Sequence, residues 1–223
     1  MIILKKITLF FKREIRLFYS NTADLLSNIL FFFLSIFVFI FAIGPDDELL
    51  NKIGVGIIWA LLLLSSTLSI RKFYEDDFKN GTLIIMYMGG LSYELIAVLK
   101  IFSHFIFVQV PFLISIPIAG LLFNLPINDL IILFLSFIIG SFILSCLGSI
   151  SASMNLLNKI NFSISSVIVI LFSIPVIIFS VGLINPNNNF NSLLNLLFGI
   201  ALIFLGISPW SSAACIRLAN KYK

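Results

Sequence analysis

Long apolar runs separated by short polar stretches occupy almost the whole chain. About 20 apolar residues cross the hydrocarbon core of a bilayer, and a charge at its centre costs about 2.5–3.5 kcal/mol on insertion scales. By that rule, spans fall near residues 25–43, 53–70, 98–123, 130–150, 163–184 and 193–215. The breaks between them, including GPDDELLNK, NLPIND, NLLNKIN and NPNNNFNS, gather the Pro, Gly, Asn and Asp that turns need. The pattern predicts an all-α integral membrane protein with six transmembrane helices in a single membrane domain over residues 1–223.

Residues 1–24 follow a different period. At about 100° per residue, Ile3, Leu4, Ile7, Phe10, Phe11, Ile15, Leu17 and Phe18 share one arc. Lys5, Lys6, Lys12, Arg13 and Arg16 take the opposite arc, and only Leu9 and Glu14 are out of phase. This predicts an amphipathic elbow helix lying in the interface, with its cations near anionic lipid. A secretory leader, with Leu25 to Ile43 as apolar core and Ala42-Ile43-Gly44 as cleavage site, fits less well, because the apolar stretch is long and Pro45 follows at once.

Charge sets the orientation. With six spans the termini share a side, which collects Lys5, Lys6, Lys12, Arg13, Arg16, Arg71, Lys72, Lys79, Lys100, Lys159, Arg217, Lys221 and Lys223, thirteen cations against Lys52 alone opposite. The positive-inside rule then makes both termini cytoplasmic. The outward loops are too short for a separate catalytic or receptor domain.

One polar break stands apart. After the apolar run ending at Ile70 comes RKFYEDDFKNGTL over residues 71–83, where Phe73, Tyr74 and Phe78 recur at near-helical spacing among Glu75, Asp76, Asp77 and Lys79. Gly81 is suited to a left-handed cap, and Thr82 and Leu83 lead into an apolar patch broken at Gly89-Gly90. Three adjacent acids are usually a solvated helix face. Three aromatics beside them would otherwise be exposed, and a partner groove would bury them. The cytoplasmic segment 71–94 is thus expected to dock a soluble motor.

Composition agrees: 60% of the 223 residues are hydrophobic and 11% charged, with a mean hydropathy of +1.15, outside the range of soluble domains. Cys146 and Cys215 lie in apolar runs and suggest neither a disulfide nor a metal site. Polar residues inside the spans are almost all uncharged, and serines with Gly140, Gly148 and Gly199 fit close helix packing. His104, the only histidine, has no carboxylate or cysteine spaced to complete a metal site with it, and it is the only imidazole that could serve a serine nucleophile as base. There is no GxxxxGK[ST] loop, so ATP would be hydrolysed on a partner, and nothing points to nucleic acid. No catalytic residue is expected.

The elbow helix, the outward loop IGPDDELL, then IIWALLLLSS and FYEDDFKNGTL, and the closing ISPWSSAACIRLA resemble the CcmB family, the haem exporter protein B permeases of cytochrome c maturation. The most specific block runs from Ile43 to Leu83, with Pro45, Trp59, Ser65, Ser66, Asp77, Gly81 and Leu83 at family positions; Ser208-Pro209 with Ala213 and Ala214 is a weaker match. Ile84 departs from the pattern, since the family commonly has glutamate there. The resemblance implies a permease subunit of the bacterial inner membrane, powered by a cytoplasmic ATP-binding subunit (CcmA) through Phe73 to Leu83. It further implies work beside the membrane proteins CcmC and CcmD and the periplasmic haem chaperone CcmE, with haem as the transported ligand. Two other readings stay open: an ABC permease for another lipid, drug or glycan, and a haem-binding membrane enzyme using His104.

Overall fold

The computed structural model describes residues 2–20, 22–70, 72–157 and 162–221. Arg71, Lys159 and Lys223 of the charge count lie outside them. Among the described residues all regular structure is helical: α1 (Ile2–Ser20), α2 (Thr22–Ile43), α3 (Asp47–Ile70), two short helices α4 (Glu75–Lys79) and α5 (Thr82–Met88), then α6 (Tyr93–His104), a π-helical turn (Phe105–Gln109) and α7 (Val110–Leu122). Three long helices close the chain: α8 (Ile127–Asn155), α9 (Phe162–Gly182) and α10 (Phe190–Lys221).

Five segments are long and apolar enough to cross a membrane: Thr22–Ile43, Asp47–Lys79, Tyr93–Leu122, Ile127–Asn155 and Phe190–Lys221. The apolar part of the second is α3. The expected span near 163–184 corresponds to α9, of which Ser166–Gly182 counts as a shorter apolar helix. Except for α9, which stops at Gly182, each helix runs a few residues past the apolar core assigned from hydropathy at one end or both, because polar residues complete its end turns.

Small residues bring the helices together. Ser149 of α8 and Ser212 of α10 share a hydrogen bond of 2.8 Å, and both are buried beside Ala213. Ser66, Ser136, Ser141, Ser145, Ser153 and Ser173 instead donate to a carbonyl three or four residues back on their own helices, which satisfies the hydroxyl without a partner helix. Trp59 is fully buried against Phe137, ring centroids 5.4 Å apart, and lies over Gly140, where a Cβ would sit 2.3 Å from the indole. Gly148 faces Ile70 in the same way, whereas nothing lies near Gly199, so the close approach expected there does not occur.

The third span is not one continuous α-helix. Pro111 has no N–H to give the carbonyl of Phe107, and the helix widens just before it: the Val110 N–H reaches back to the Phe105 carbonyl, five residues away.

The ends of the bundle differ in chemistry. At one end the Asn124 amide donates to Asp47 at 2.8 Å and that of Asn51 to the Asn124 carbonyl at 3.1 Å, joining the turns before α3 and α8. At the other, Lys72 pairs with Asp24 at 2.5 Å, Arg217 with Glu94, and the Asn220 amide donates to the Tyr93 hydroxyl at 3.2 Å. The last turns of α10 thus lie at the same end as α4 and the start of α6.

Candidate functional site

The polar segment after α3 folds as two short helices split by Gly81, which takes the left-handed conformation at φ +72°. The Phe73 N–H bonds the Ile70 carbonyl at 3.1 Å, turning the chain, and the Phe78 N–H bonds the Tyr74 carbonyl at 2.9 Å, starting α4. That turn drives Phe73 and Tyr74 inward. Both are buried, with Phe78 half-buried and Leu83 fully buried, so the aromatics expected on the surface are packing residues. Phe73 lies against the rings of Tyr74 and His104, each centroid 4.8 Å away. The Tyr74 hydroxyl shares a hydrogen bond of 2.8 Å with Ser149, extending the Ser149–Ser212 link and fastening the segment to α8 and α10.

Asp77 also points inward and is 4% exposed. Two cations from two other helices meet it. The Arg13 guanidinium of α1 grips both carboxylate oxygens, and the Lys100 ammonium of α6 lies 2.5 Å from Oδ2. Glu14 completes the group, 2.8 Å from Arg13 and 3.1 Å from Lys100. Two positive and two negative charges therefore share one buried site. Burial opposes ionisation of Asp77, but the neighbouring Lys100 and Arg13 charges outweigh it and hold its carboxyl below the usual range. A buried cluster of this kind adds little net stability, yet removing one member strands a charge at a cost of about 3–5 kcal/mol.

The opposite face of the segment is exposed. Asp76, Lys79 and Asn80 line it, with Lys79 paired to Glu75 one turn back at 2.5 Å. On α5, Ile85 and Met88 are 66% and 81% exposed. Gly81 and Thr82 are half-buried, as is Ile84.

The elbow helix is likewise divided. Lys5, Lys12 and Arg16 are exposed and Lys6 is half-buried, but Arg13 leaves the basic face for Asp77, which the arc alone does not reveal. Glu14, out of phase in that arc, is the buried acid facing Lys100. The one available signal was a pair of misfits: an acid alone in a basic helix and a cation alone at the start of an apolar span.

His104 is buried between two hydroxyls. Its Nε2 lies 2.9 Å from Ser69 and its Nδ1 3.1 Å from Ser145, so both ring nitrogens are engaged. Among the described residues no three His, Cys, Asp or Glu side chains are grouped to hold a metal.

The model of the CcmB protein family matches residues 5–219. The chain is 33% identical to Heme exporter protein B of Haemophilus influenzae, over 93% of this chain and 96% of that protein. It is 29% identical to the protein of that name from Bradyrhizobium diazoefficiens, over 92% and 95% of the two chains, and 26% identical to that of Pseudomonas aeruginosa, over 95% and 96%.

Proposed function

Because the chain belongs to the CcmB family, we propose that it is a membrane permease subunit of an ATP-driven haem export system, with α4 and α5 receiving the motion of a separate ATPase subunit. Its relatives are named heme exporter protein B, which supports haem as the ligand whose delivery this chain serves. The coupling part rests on the Asp77 junction. A push on the exposed face of α4 is passed through Asp77 to α1 and α6 together, since Arg13 and Lys100 hold the same carboxylate.

Topology follows from the charge bias. With α9 counted as the fifth of six spans, the thirteen-to-one distribution of cations favours both termini, α4 and α5 in the cytoplasm of a bacterial inner membrane. The docking face is then Lys79, Ile85 and Met88, while Phe73, Tyr74 and Leu83 anchor the segment to the bundle. By family resemblance the ATPase is CcmA, with CcmC, CcmD and the chaperone CcmE as the remaining partners. The family glutamate replaced by Ile84 leaves that contact to neighbouring side chains.

Direct haem ligation by His104 is the weaker reading, because Ser69 and Ser145 occupy both of its nitrogens. Transmission of motion, in which haem is moved by another subunit, agrees with the lack of any cation deep in the spans to meet haem propionates.

Co-purification of the ATPase subunit, scored beside mature c-type cytochrome, tests the coupling. Ile85→Glu with Met88→Glu, altering only the exposed face, should lose the ATPase and the cytochromes. Asp77→Asn should keep the ATPase bound yet lose cytochrome maturation. Retention of both signals in both variants would remove α4 and α5 from the mechanism.

A further inference from the structure

A cavity of about 300 Å³ opens where α1, α2, the end of α3, α4, α6 and the π-helical turn converge. One wall is apolar, formed by Leu17, Phe18, Leu25, Leu68, Phe107 and Val108. Its exposed lining is charged, with Asp24, Lys72 and Asp76, and its buried lining includes Ser103 and His104. The cavity is therefore amphipathic, and it lies at the end of the spans where the elbow helix would enter the headgroup region.

The charges around it select among ligands. Among the described residues, three cations line it, Arg13, Lys72 and Lys100, against four carboxylates, Glu14, Asp24, Asp76 and Asp77. Every cation already holds a carboxylate: Lys72 has Asp24, and Arg13 and Lys100 share Glu14 and Asp77. Asp76 is exposed and pairs with none of these cations. A purely anionic ligand would meet an excess of negative charge. A ligand carrying an ammonium beside its phosphate can give the ammonium to Asp76 and the phosphate to Lys72.

Ser103 supplies a second, independent mark. It is 3% exposed and lines the cavity, yet its hydroxyl has no hydrogen-bond partner among the described residues. Ser66, Ser136, Ser141 and Ser153 bond their own helix carbonyls, whereas Ser65, Ser180 and Ser208 share the unpartnered state of Ser103. Of these four only Ser103 lines the cavity, and a buried hydroxyl left unmade costs about 1–3 kcal/mol unless the cavity's occupant takes it. An ester carbonyl would accept that proton.

We propose that this cavity binds a zwitterionic glycerophospholipid of the ethanolamine class, its headgroup between Lys72 and Asp76, an ester carbonyl at Ser103, and an acyl chain against the Leu25 and Phe107 wall. The bound lipid fills the space between the elbow helix and the spans. It does not depend on the ATPase reading, and its failure would leave that reading standing.

The full-length protein is reconstituted separately with photoreactive phosphatidylethanolamine and photoreactive phosphatidylglycerol, and the labelled peptides are identified by mass spectrometry. The ethanolamine lipid should label peptides carrying Leu25 and Phe107 about tenfold more than the glycerol lipid, a difference of about 1.4 kcal/mol. Asp76→Asn, on the surface, should erase that preference, and Ser103→Leu, which fills the cavity, should abolish labelling by either lipid. Equal labelling by the two lipids in the unaltered protein, or undiminished labelling in both variants, would overturn the proposal. Competition by water-soluble glycerophosphoethanolamine as effective as by the lipid would overturn the lipid assignment, and displacement of the lipid by haemin would give the cavity to haem.

Discussion

The Glu14 carboxylate and the Lys100 ammonium, 86 residues apart in sequence, meet at 3.1 Å inside the protein. Each is a misfit in its own helix, and each cancels the other's desolvation. Through them the elbow helix is fixed to the third span, and through Asp77 to the segment between the second and third.

Removing one member should be costly and removing two less so. Lys100→Met leaves two carboxylates facing one guanidinium and should lower stability by about 3–5 kcal/mol. Adding Glu14→Gln restores the balance between Arg13 and Asp77 and should recover part of that loss, read as thermal unfolding of the detergent-solubilised chain. A Lys100→Met protein within about 0.5 kcal/mol of the parent would show that the cluster does not hold the helices together.

Acid should open the same junction. The Asp77 carboxyl is held below its ordinary value, so its contribution is fully present above the unfolded value of about 3.9 and lost as pH falls through the lower folded one. Spin labels at Lys12 and Asn80, both exposed, with Cys146 and Cys215 replaced by alanine, should keep their separation from neutral pH to about pH 5 and move apart only in stronger acid. Separation near neutrality would contradict the assignment.

Gly140 tolerates no side chain while Trp59 stands over it. Gly140→Ala should cost about 1–3 kcal/mol by overpacking, and Trp59→Phe in the same chain should return much of it. Unfolding midpoints of the single and double variants measure the coupling.

His104 should be replaceable by a residue that hydrogen-bonds but does not ligate iron well. His104→Gln is expected to keep c-type cytochrome maturation, and His104→Leu to lose about 1 kcal/mol of stability through its two serine contacts. Loss of maturation with His104→Gln, in protein that still inserts, would restore the haem-ligand reading.

Hydropathy located five helices long and apolar enough to cross a membrane, since length in an apolar solvent is a one-dimensional property, while the stretch near 163–184 is matched by a shorter apolar helix. The block from Ile43 to Leu83 was also legible, because Gly81 needs its left-handed cap and the charges after Ile70 cannot enter lipid. The direction of each side chain was not. Phe73 and Tyr74 looked exposed because a short helix between two spans has no period long enough to reveal its inner face, and Ser149, which holds Tyr74, is in a distant span. Arg13 was placed with lipid because an arc describes one helix and its partner Asp77 belongs to another. The widened turn before Pro111 is not legible in the sequence, since proline dictates only that a bond is lost and the surrounding helices decide how the chain absorbs it.

That widened turn acts as a phase shifter. One additional residue in a single helical turn advances everything beyond it by about 100°. Below it, α6 presents Lys100 and His104 to the polar junction; above it, α7 presents Phe112 to Phe32 of α2, ring centroids 6.0 Å apart. Deleting a single residue between Phe105 and Gln109 would bring the two halves into one winding and turn one of these faces away from its partner, so the span works as two differently clocked rods joined by a spacer one residue long.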